Sequence, residues 1–276
     1  MKQREIIYNP VSGINGINGC IHYLQLDSVK VLLDAGMDPQ NPQQSREKLE
    51  SIPGDPAAIF LSHAHIDHIG LLPDVVKKYP EIQVFMTYPS LALTELMLVR
   101  SFKLQKKKGQ ENKDFPMPPY GFDDLEMLFY MIRSYEYKRT FTIDSYANKN
   151  VKFSFWDAGH IMGSAGILIE WEGKRIFYSG NLRLSAQTIL KGANFPAKKV
   201  DLLILEGTYG NDDQFEDLTY QNERKRLAQF ITDRLKYNGK VLIPVFALGR
   251  TQELLMNISM LMRKSKIPVA PIYITG

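Results

Sequence analysis

Cysteine and long apolar runs are scarce in this chain of 276 residues. Its single cysteine, Cys20, cannot form an intramolecular disulfide, so nothing supports an oxidising compartment. The start MKQREIIYNP lacks an apolar run of signal-peptide length, and no later run approaches the roughly 20 apolar residues that a membrane span needs. We therefore expect a cytoplasmic protein with no membrane contact.

Charge of one sign is only slightly in excess. Lys and Arg number 34 and Asp and Glu number 30, which gives a net charge of +4. Such an excess is compatible with a polyanionic partner but is also common in proteins that never meet one. The densest basic run, RSFKLQKKK at residues 100–108, is either a solvated helix end or an edge that contacts phosphates. The hydrophobic content of 44% indicates a globular protein.

Short apolar runs alternate with turns that contain Gly or Asp, which predicts β-strands. The segment GILIEWEGKRIFYSG predicts a hairpin that turns at Glu172 and Gly173. Poor periodicity at residues 101–125 predicts an extended loop, followed by a short helix at 123–133. A further helix is predicted by apolar residues at helical spacing: Ile69, Leu72, Val75, Val76 and Tyr79. Together these patterns favour a layered α/β architecture.

From about Asn211 the pattern changes. A charged amphipathic helix, QNERKRLAQFITDRLKYNG, precedes a predicted buried strand, KVLIPV at 240–245. A second helix, TQELLMNISMLMRK, precedes a predicted strand, VAPIYIT at 269–275. This alternation is typical of parallel βαβ units. We therefore divide the chain into a domain at 1–208 and the beginning of a second one at 209–276.

The segment SHAHIDHIG carries the strongest chemical signal, because three of the five histidines fall within it. His63, His65, Asp67 and His68 follow a predicted buried strand, AAIFLS, and precede a predicted helix. Alternate residues leaving a strand point the same way, so His63 and His65 are expected to converge on one ion. Asp67 and His68 would turn towards a neighbouring ion. Imidazole and carboxylate are ligands that zinc accepts.

His160 complements this cluster. It follows the predicted strand KFSFWD in the turn AGHIMGSAG, where glycines allow the backbone to approach a ligand closely. With His63 and His65 it would form a three-histidine site with one open position. A lone loop histidine is more often structural, so this prediction depends on the cluster. His22, in the alternating strand CIHYLQL, is interpreted as a structural residue.

The HxHxDH motif at 63–68 resembles that of the metallo-β-lactamase superfamily. LLILEGTYG and ALGRTQEL, at 202–210 and 247–254, are similar to motifs of its β-CASP branch, which includes nucleases like the cleavage and polyadenylation specificity factor. The resemblance implies an α/β fold: an αββα sandwich followed by the start of an inserted β-CASP domain. It also implies hydrolysis of phosphodiesters in RNA or single-stranded nucleic acid, with water activated by one or two Zn²⁺ ions or by Mn²⁺.

The same resemblance implies roles for individual residues. Asp34, in LLDAG, would orient a ligand histidine through its other ring nitrogen, although it is also compatible with an ordinary turn residue. Asp67 and Glu206 would be catalytic, with Glu206 holding the histidine that protonates the leaving oxygen. Arg250 and Gln252 would either contact phosphates or anchor the second domain.

Two departures from the family pattern bear on activity. Asn181 stands after YSG where the family has a metal-bridging aspartate, and a neutral amide is a poor bridge. The second ion is then weak or absent, the position has been altered by nature or by experiment, or another group bridges. The second departure is that no histidine follows His160. The family's late histidines would lie beyond Gly276 in a truncated domain, or come from a homodimer or another partner chain.

Two other functions therefore stay open beside a nuclease. The first is a catalytically inactive scaffold subunit that binds nucleic acid, which Asn181 favours. The second is a hydrolase of small thioesters, lactams or lactones from another branch of the superfamily. The LEGTYG and ALGRTQEL segments argue against this second alternative.

Overall fold

The computed structural model describes residues 5–14, 16, 19–143, 151–210 and 218–275. The change of pattern near Asn211 lies outside these residues. The strands are β1 (Ile6–Ser12), β2 (Ile21–Leu26), β3 (Val29–Leu33), β4 (Ala58–Phe60), β5 (Gln83–Thr87), β6 (Ile132–Tyr135), β7 (Thr140–Thr142), β8 (Val151–Asp157), β9 (Ala165–Trp171), β10 (Lys174–Tyr178) and β11 (Leu202–Ile204). The helices are α1 (Pro42–Lys48), α2 (Ile66–Ile69), α3 (Leu72–Lys78), α4 (Tyr88–Glu111), α5 (Phe122–Met131), α6 (Tyr220–Lys236) and α7 (Arg250–Arg263).

The strands form two mixed sheets. The first has the order β1-β2-β3-β4-β5-β6, antiparallel from β1 to β3 and parallel from β3 to β6. The second has the order β11-β10-β9-β8-β7, in which only β10 and β11 pair in parallel. Parallel neighbours end at the same edge of a sheet, so the residues that follow β3 and β4, and those that follow β10 and β11, come together.

A hydrophobic core fills the space between the two sheets. Phe60 of β4 stacks on Phe153 of β8, with ring centroids 4.2 Å apart, and lies 5.2 Å from the ring of Phe85 of β5. The opposite face of the first sheet packs against α3, α4 and α5 through a second cluster that includes Leu32 and Leu98. The predicted α/β layers are thus confirmed. Within the described residues, no helix is long and apolar enough to cross a membrane.

The predicted hairpin is also confirmed. β9 and β10 pair antiparallel from Trp171 and Lys174. Between them Glu172 and Gly173 have φ angles of 48° and 82°. Two positive φ angles are the signature of the two-residue turn that matches the twist of the flanking strands. The short helix predicted at 123–133 is present as α5, and β6 follows it directly.

The extended loop predicted at 101–125 is wrong over its first part, because α4 continues to Glu111. The buried residues of α4 recur at helical spacing: Ser90, Thr94, Leu98, Phe102 and Gln105. Three of these five are polar, so the buried stripe carries little hydrophobic periodicity. The helix is therefore visible in the packing but is hidden in the pattern of apolar residues.

The strands predicted at 240–245 and 269–275 are not formed, although the helices α6 and α7 are. Leu242 is 94% exposed and Tyr273 86% exposed. A strand needs a hydrogen-bonded neighbour, and within the described part of the chain neither segment has one. α6 and α7 pack through a small cluster that includes Ile231 and Ile258. The division of the chain after residue 208 stays a prediction.

Gly36 offers a test of how tightly the loop after β3 is packed. Its amide donates to the carbonyl of Cys20 at 2.8 Å, and a Cβ at this position would lie 1.7 Å from the carbonyl oxygen of Asp67. We expect Gly36→Ala to destabilise the protein by about 3 kcal/mol, because backbone atoms must move to relieve the clash. Thermal unfolding measures this effect. Gly207→Ala is the control, since Gly207 has open space around it, and equal melting temperatures for both variants would contradict the prediction.

Candidate metal centre

The candidate residues follow the ends of five strands. Asp34 comes directly after β3, and the HxHxDH segment begins three residues after β4. The remaining candidates come after β8, β10 and β11: His160, Asn181 and Glu206. The sheets face each other at this edge, and Ala165 at the start of β9 donates to the carbonyl of Ser62 at 2.8 Å. Segments far apart in the sequence therefore contribute to one site.

Three ring nitrogens meet at this edge. His63 Nε2 lies 3.1 Å from His65 Nδ1, and His160 Nε2 lies 3.3 Å from the same atom. His63 is fully buried, whereas His65 and His160 are half-buried. Nitrogens bonded to one tetrahedral zinc ion at about 2.0–2.1 Å lie about 3.3 Å from each other. The spacing of the three imidazoles therefore fits the ligand set of a single ion.

Hydrogen bonds at the outer ring nitrogens assign the tautomers of two of these histidines. The Ser62 hydroxyl donates to Asp34 Oδ2 at 2.7 Å, so its oxygen accepts a hydrogen bond from His63 Nδ1 at 2.9 Å. His65 Nε2 faces the carbonyl oxygen of Leu248 at 3.4 Å and donates to it. The nitrogens that face the centre, His63 Nε2 and His65 Nδ1, then carry no proton. Lone pairs converge there, which suits a cation.

Burial keeps the three histidines uncharged. Burial, followed by the neighbouring imidazoles, lowers the pKa of His63 well below its usual value. Burial is also the largest cause that lowers the pKa of His65, and burial together with His65 lowers the pKa of His160 to about 3. Neutral imidazole is the form that binds a metal ion. The three side chains are therefore ready to act as ligands at neutral pH.

Backbone hydrogen bonds hold the HxHxDH segment in place. Its short helix α2 begins after His65, and the segment lies against the loop that follows β3. The amide of Ala35 donates to the carbonyl of His68, and that of Cys20 donates to the carbonyl of Asp67, both at 2.8 Å. The amide of Met37 donates to the carbonyl of Ile66 at 3.0 Å. The backbone of Ile66, Asp67 and His68 is thus held in place by main-chain contacts.

The loop that carries His160 is fixed by hydrogen bonds from other segments. The Ser164 hydroxyl oxygen accepts from the amide of His160 at 3.0 Å. At the start of α4, the hydroxyls of Thr87 and Ser90 both donate to the carbonyl of Gly163, at 2.6 Å and 2.9 Å. The Gln187 amide group donates to the carbonyl of Gly159 at 2.8 Å. These contacts position the imidazole before any ligand binds.

Asp34 contacts His68 rather than the three-histidine group. It is fully buried, and its Oδ2 lies 2.7 Å from His68 Nδ1. The same oxygen accepts from the hydroxyls of Ser62 and Tyr178, and its Oδ1 accepts from the Ser62 amide at 2.6 Å. His68 Nε2 is turned the other way and lies 3.5 Å from Asp67 Oδ2. Asp67 and His68 thus form a second pair of potential ligands beside the first group.

The environment of His68 differs from that of the other three. Burial lowers the pKa of His68, but the negative charge of Asp34 and its hydrogen bond outweigh burial, so the pKa is raised. The hydrogen bond itself places a proton on Nδ1, because Asp34 Oδ2, which also accepts from Ser62 and Tyr178, can only be the acceptor. This arrangement leaves Nε2 as the nitrogen that faces the site, since the outer hydrogen bond sets the tautomer of a ligand histidine.

Glu206 lies near the site, and within the described part of the chain its carboxylate bonds backbone amides rather than a histidine. Its Oε1 accepts from the amide of Leu182 at 3.0 Å, and its Oε2 accepts from the amide of Thr208 at 3.1 Å. Its own amide donates to the Ser179 hydroxyl at 3.1 Å. These bonds hold the turn after β10 in which Asn181 lies half-buried. Within the described residues the hydrogen bonds of Glu206 stabilise this turn. That Glu206 holds a late histidine stays a prediction.

Arg250 and Gln252 stand at the beginning of α7. Arg250 donates to Gln187 Oε1 at 3.1 Å, which links the helix to the residue that holds the His160 loop. Gln252 accepts from the amide of Gly249 at 2.7 Å and donates to the carbonyl of Ala247 at 3.1 Å, so it caps the helix. Both contacts favour the anchoring role over phosphate contact, although phosphate contact by Arg250 stays a prediction.

Sequence reasoning missed several residues that shape the site. Ser62 bonds both Asp34 and His63, and its place directly before His63 was the available signal. Gln187 and Tyr178 are separated from their partners by 28 and 144 residues, and neither lies in a recognisable motif. The carbonyl of Leu248 is a main-chain group, so its side-chain type gives no hint of its role.

Comparisons with known proteins agree with this geometry. A family model described as a metallo-beta-lactamase superfamily domain matches residues 23–205. An RNase J-like protein of Methanocaldococcus jannaschii is 32% identical, over 90% of this chain and 53% of that protein. Endoribonuclease YSH1 of Kluyveromyces lactis is 29% identical, over 89% of this chain and 32% of that protein. Ribonuclease TTHA0252 of Thermus thermophilus is 29% identical, over 96% and 57% respectively.

The chain spans between a third and three fifths of the length of these relatives. The matched region runs from within β2 to the end of β11, and it contains His63, His65, His68 and His160. Two observations of different kinds, the histidine geometry and the family match, point to the same superfamily. The chain belongs to the metallo-β-lactamase superfamily and is a distant relative of its β-CASP ribonucleases.

Proposed function

We propose that this chain is the metal-binding part of a nuclease that hydrolyses phosphodiester bonds in RNA or single-stranded nucleic acid. The observation that carries the proposal is the convergence of three neutral imidazoles, His63, His65 and His160, at 3.1–3.3 Å. The relatives named as ribonucleases support a nucleic-acid substrate. Zn²⁺ fits the donor set and spacing, and Mn²⁺ is the alternative ion.

The residues divide into holding and charge-supplying groups. His63, His65 and His160 would hold one ion, and Asp67 and His68 would hold a second. A divalent ion in such a site acts as a Lewis acid on a phosphoryl oxygen and makes bound water a nucleophile near neutral pH. The carboxylate of Asp67, whose side chain is 30% exposed, would accept a proton from water at the site.

Positive charge beside the histidines favours an anionic substrate. After burial and His65, the guanidinium groups of Arg250 and Arg183 are among the causes that lower the pKa of His160. Burial and the proximity of Arg183 also lower the pKa of Arg250. The two guanidinium groups repel each other, so a phosphate group bound between or beside them would be stabilised by both charges. A phosphodiester supplies that charge, whereas a neutral ester or lactam does not.

Cleavage of a labelled single-stranded RNA oligonucleotide tests the proposal. Protein stripped of metal by a chelator is expected to be inactive, and added Zn²⁺ or Mn²⁺ is expected to restore cutting, since the ion supplies the nucleophile. A DNA oligonucleotide of the same sequence separates the two substrate classes. Hydrolysis of a small thioester or lactam, with none of RNA, would contradict the proposal and revive the small-substrate hydrolase.

A second candidate is a scaffold subunit that binds nucleic acid without cutting it. Asn181 favours it, because an amide in the turn after β10 brings no charge to a second ion. Tight RNA binding by metal-loaded protein without any cleavage would favour the scaffold. Completion of the site by late histidines from a homodimer or another chain stays part of the proposal.

A further inference from the structure

A buried row of polar side chains continues from Asp34 away from the metal centre. The hydroxyl of Tyr178 donates to Asp34 Oδ2 at 2.6 Å, and Cys20 Sγ lies 3.5 Å from that hydroxyl. His22 Nε2 lies 2.9 Å from Cys20 Sγ, and His22 Nδ1 lies 2.9 Å from the hydroxyl of Tyr8. The ring of His22 also meets the ring of Tyr178 edge-on, with centroids 5.3 Å apart. None of these four side chains has a part in the proposed reaction.

Only one set of hydrogen-bond directions satisfies the whole row. Tyr178 has one proton and gives it to Asp34, so its oxygen accepts from the thiol of Cys20. Cys20 Sγ then accepts from His22 Nε2, which leaves His22 Nδ1 to accept from the Tyr8 hydroxyl. Every donor thus points towards Asp34. A row that ends on a carboxylate in this way polarises each bond in the same sense.

Burial keeps the members of the row uncharged. It raises the pKa of Tyr178 and of Cys20 and lowers the pKa of His22, in each case as the largest cause. Tyr178 is 4% exposed and His22 8% exposed. The phenol, the thiol and the imidazole therefore all stay neutral at physiological pH. Neutral partners keep the donor directions fixed, so the row acts as a rigid support.

We propose that Tyr178 is a positioning residue that fixes the tautomer and direction of His68 through Asp34, with Cys20 and His22 setting the direction of its hydroxyl. Asp34 Oδ2 receives three donors, and Tyr178 provides the one that comes from the opposite sheet. Without the Tyr178 hydroxyl, the fully buried carboxylate of Asp34 accepts fewer hydrogen bonds and can rotate more freely. His68 Nε2 would then no longer be held towards Asp67. The inference rests on the proposed metal site.

The competing interpretation is that the row itself binds a metal ion, separate from the two ions proposed above. Cys20, Asp34 and His68 each offer one ligand atom, and these atoms lie within 4.8 Å of one another. However, Asp34 Oδ2 already accepts three hydrogen bonds, and His68 Nδ1 is one of the donors. Cys20 Sγ likewise already has partners in the row, His22 Nε2 at 2.9 Å and the Tyr178 hydroxyl at 3.5 Å. The hydrogen-bonded row therefore describes these groups better.

Tyr178→Phe tests the proposal, because it removes the hydroxyl and keeps the ring. In metal-free protein, nitrogen-proton NMR spectra of the imidazole rings report the tautomer of each of the five histidines. In the parent protein His68 is expected to carry its proton on Nδ1, with a downfield signal from the bond to Asp34. In Tyr178→Phe we expect that signal to move upfield and Nε2–H to become populated. The signals of His63, His65 and His160 are expected to keep their tautomers.

Tyr23→Phe is the matched control. Tyr23 is also buried, and its hydroxyl donates to Gln25 at 2.7 Å, away from the row. It is expected to leave all five histidine spectra unchanged. Should Tyr178→Phe fail to fold, Cys20→Ala serves instead, with a smaller change of the His68 signal in the same direction. A His68 spectrum that matches the parent in the folded Tyr178 variant, or in Cys20→Ala if only that variant folds, would overturn the proposal.

Zinc affinity gives a second readout that does not depend on catalysis. Removal of a group that orients a ligand through hydrogen bonds typically weakens metal binding by about tenfold or more. Competition with a chelator is therefore expected to show about tenfold weaker zinc binding at the Asp67 and His68 pair in Tyr178→Phe. Affinity at the three-histidine group is expected to be unchanged. If the parent binds zinc but cuts no RNA, the proposed nuclease function is contradicted, whereas the proposed role of Tyr178 in orienting His68 is unaffected.

Discussion

Zinc binding and RNA cleavage are both expected to be lost when His63 and His65 are replaced by alanine. The two imidazoles supply two of the three nitrogens that converge at 3.1–3.3 Å. His160 alone cannot hold the ion, so the Lewis acid and the activated water disappear together. A loss of several kcal/mol of transition-state stabilisation corresponds to a fall in rate of about a thousandfold or more. Single-turnover cleavage and elemental analysis of the purified protein measure the two effects.

Thermal unfolding separates loss of the ion from loss of the fold. Zinc at about a thousand times its dissociation constant stabilises a folded protein by about 4 kcal/mol. For a chain of this size that corresponds to a rise of roughly 8 °C in the melting temperature. The parent should show the rise, and the double variant should not. Without zinc the variant is expected to melt somewhat below the parent, because it loses the bonds of His63 to Ser62 and of His65 to Leu248 and leaves a cavity.

Ser154→Ala is a suitable control for this experiment. Ser154 is also buried, and its hydroxyl accepts from the indole of Trp156 at 3.0 Å. Removal of that contact should leave both the zinc-dependent rise and the cleavage rate in place. Cleavage that survives the loss of both His63 and His65 would exclude these residues from the reaction and would remove the basis of the proposed function.

The convergence of the candidate ligands could be predicted because most of them are local in sequence. His63, His65, Asp67 and His68 follow one buried strand, and the alternation of side chains along a strand sets their directions. His160 could be added because glycines surround it at the end of another strand. Apart from Asp34, the residues that orient these ligands could not be found in this way. Tyr178 meets Asp34 across 144 residues, which only the packing of the two sheets brings together.

Errors in the predicted elements have the same origin. The stripe of α4 that faces the core includes Thr94 and Gln105, whose polarity hides a helical pattern. The predicted strands at 240–245 and 269–275 are apolar enough for a buried sheet, but apolar character alone does not provide a hydrogen-bonded neighbour. Local patterns thus predict where a chain turns and which side chains follow a strand. They do not predict which distant segment pairs with it.

Asn181 is the position at which a substitution should increase activity. The residue lies half-buried in the turn after β10, and Glu206 holds this turn through the amide of Leu182. Asn181→Asp would add a negative oxygen to the turn that packs at Gly180 against Ser62, the residue that bonds both Asp34 and His63. A carboxylate is a far better ligand for a divalent ion than a neutral amide. We expect a second zinc ion to bind about ten- to a hundredfold more tightly, and RNA cleavage to rise about tenfold or more.

The sign of the stability change distinguishes metal binding from a general effect of charge. A new carboxylate in the turn that Glu206 holds adds like-charge repulsion, so metal-free Asn181→Asp should melt below the parent. With two ions bound, Asn181→Asp should instead melt above the parent, because the ions bind only the folded state. Asn222→Asp adds the same charge on the exposed face of α6, away from the site. It should neither lower the melting temperature of the metal-free protein nor raise that of the metal-loaded protein. If Asn181→Asp gains no second ion and no cleavage while RNA still binds tightly, the chain is better described as a scaffold, because the missing carboxylate would not be what limits the reaction.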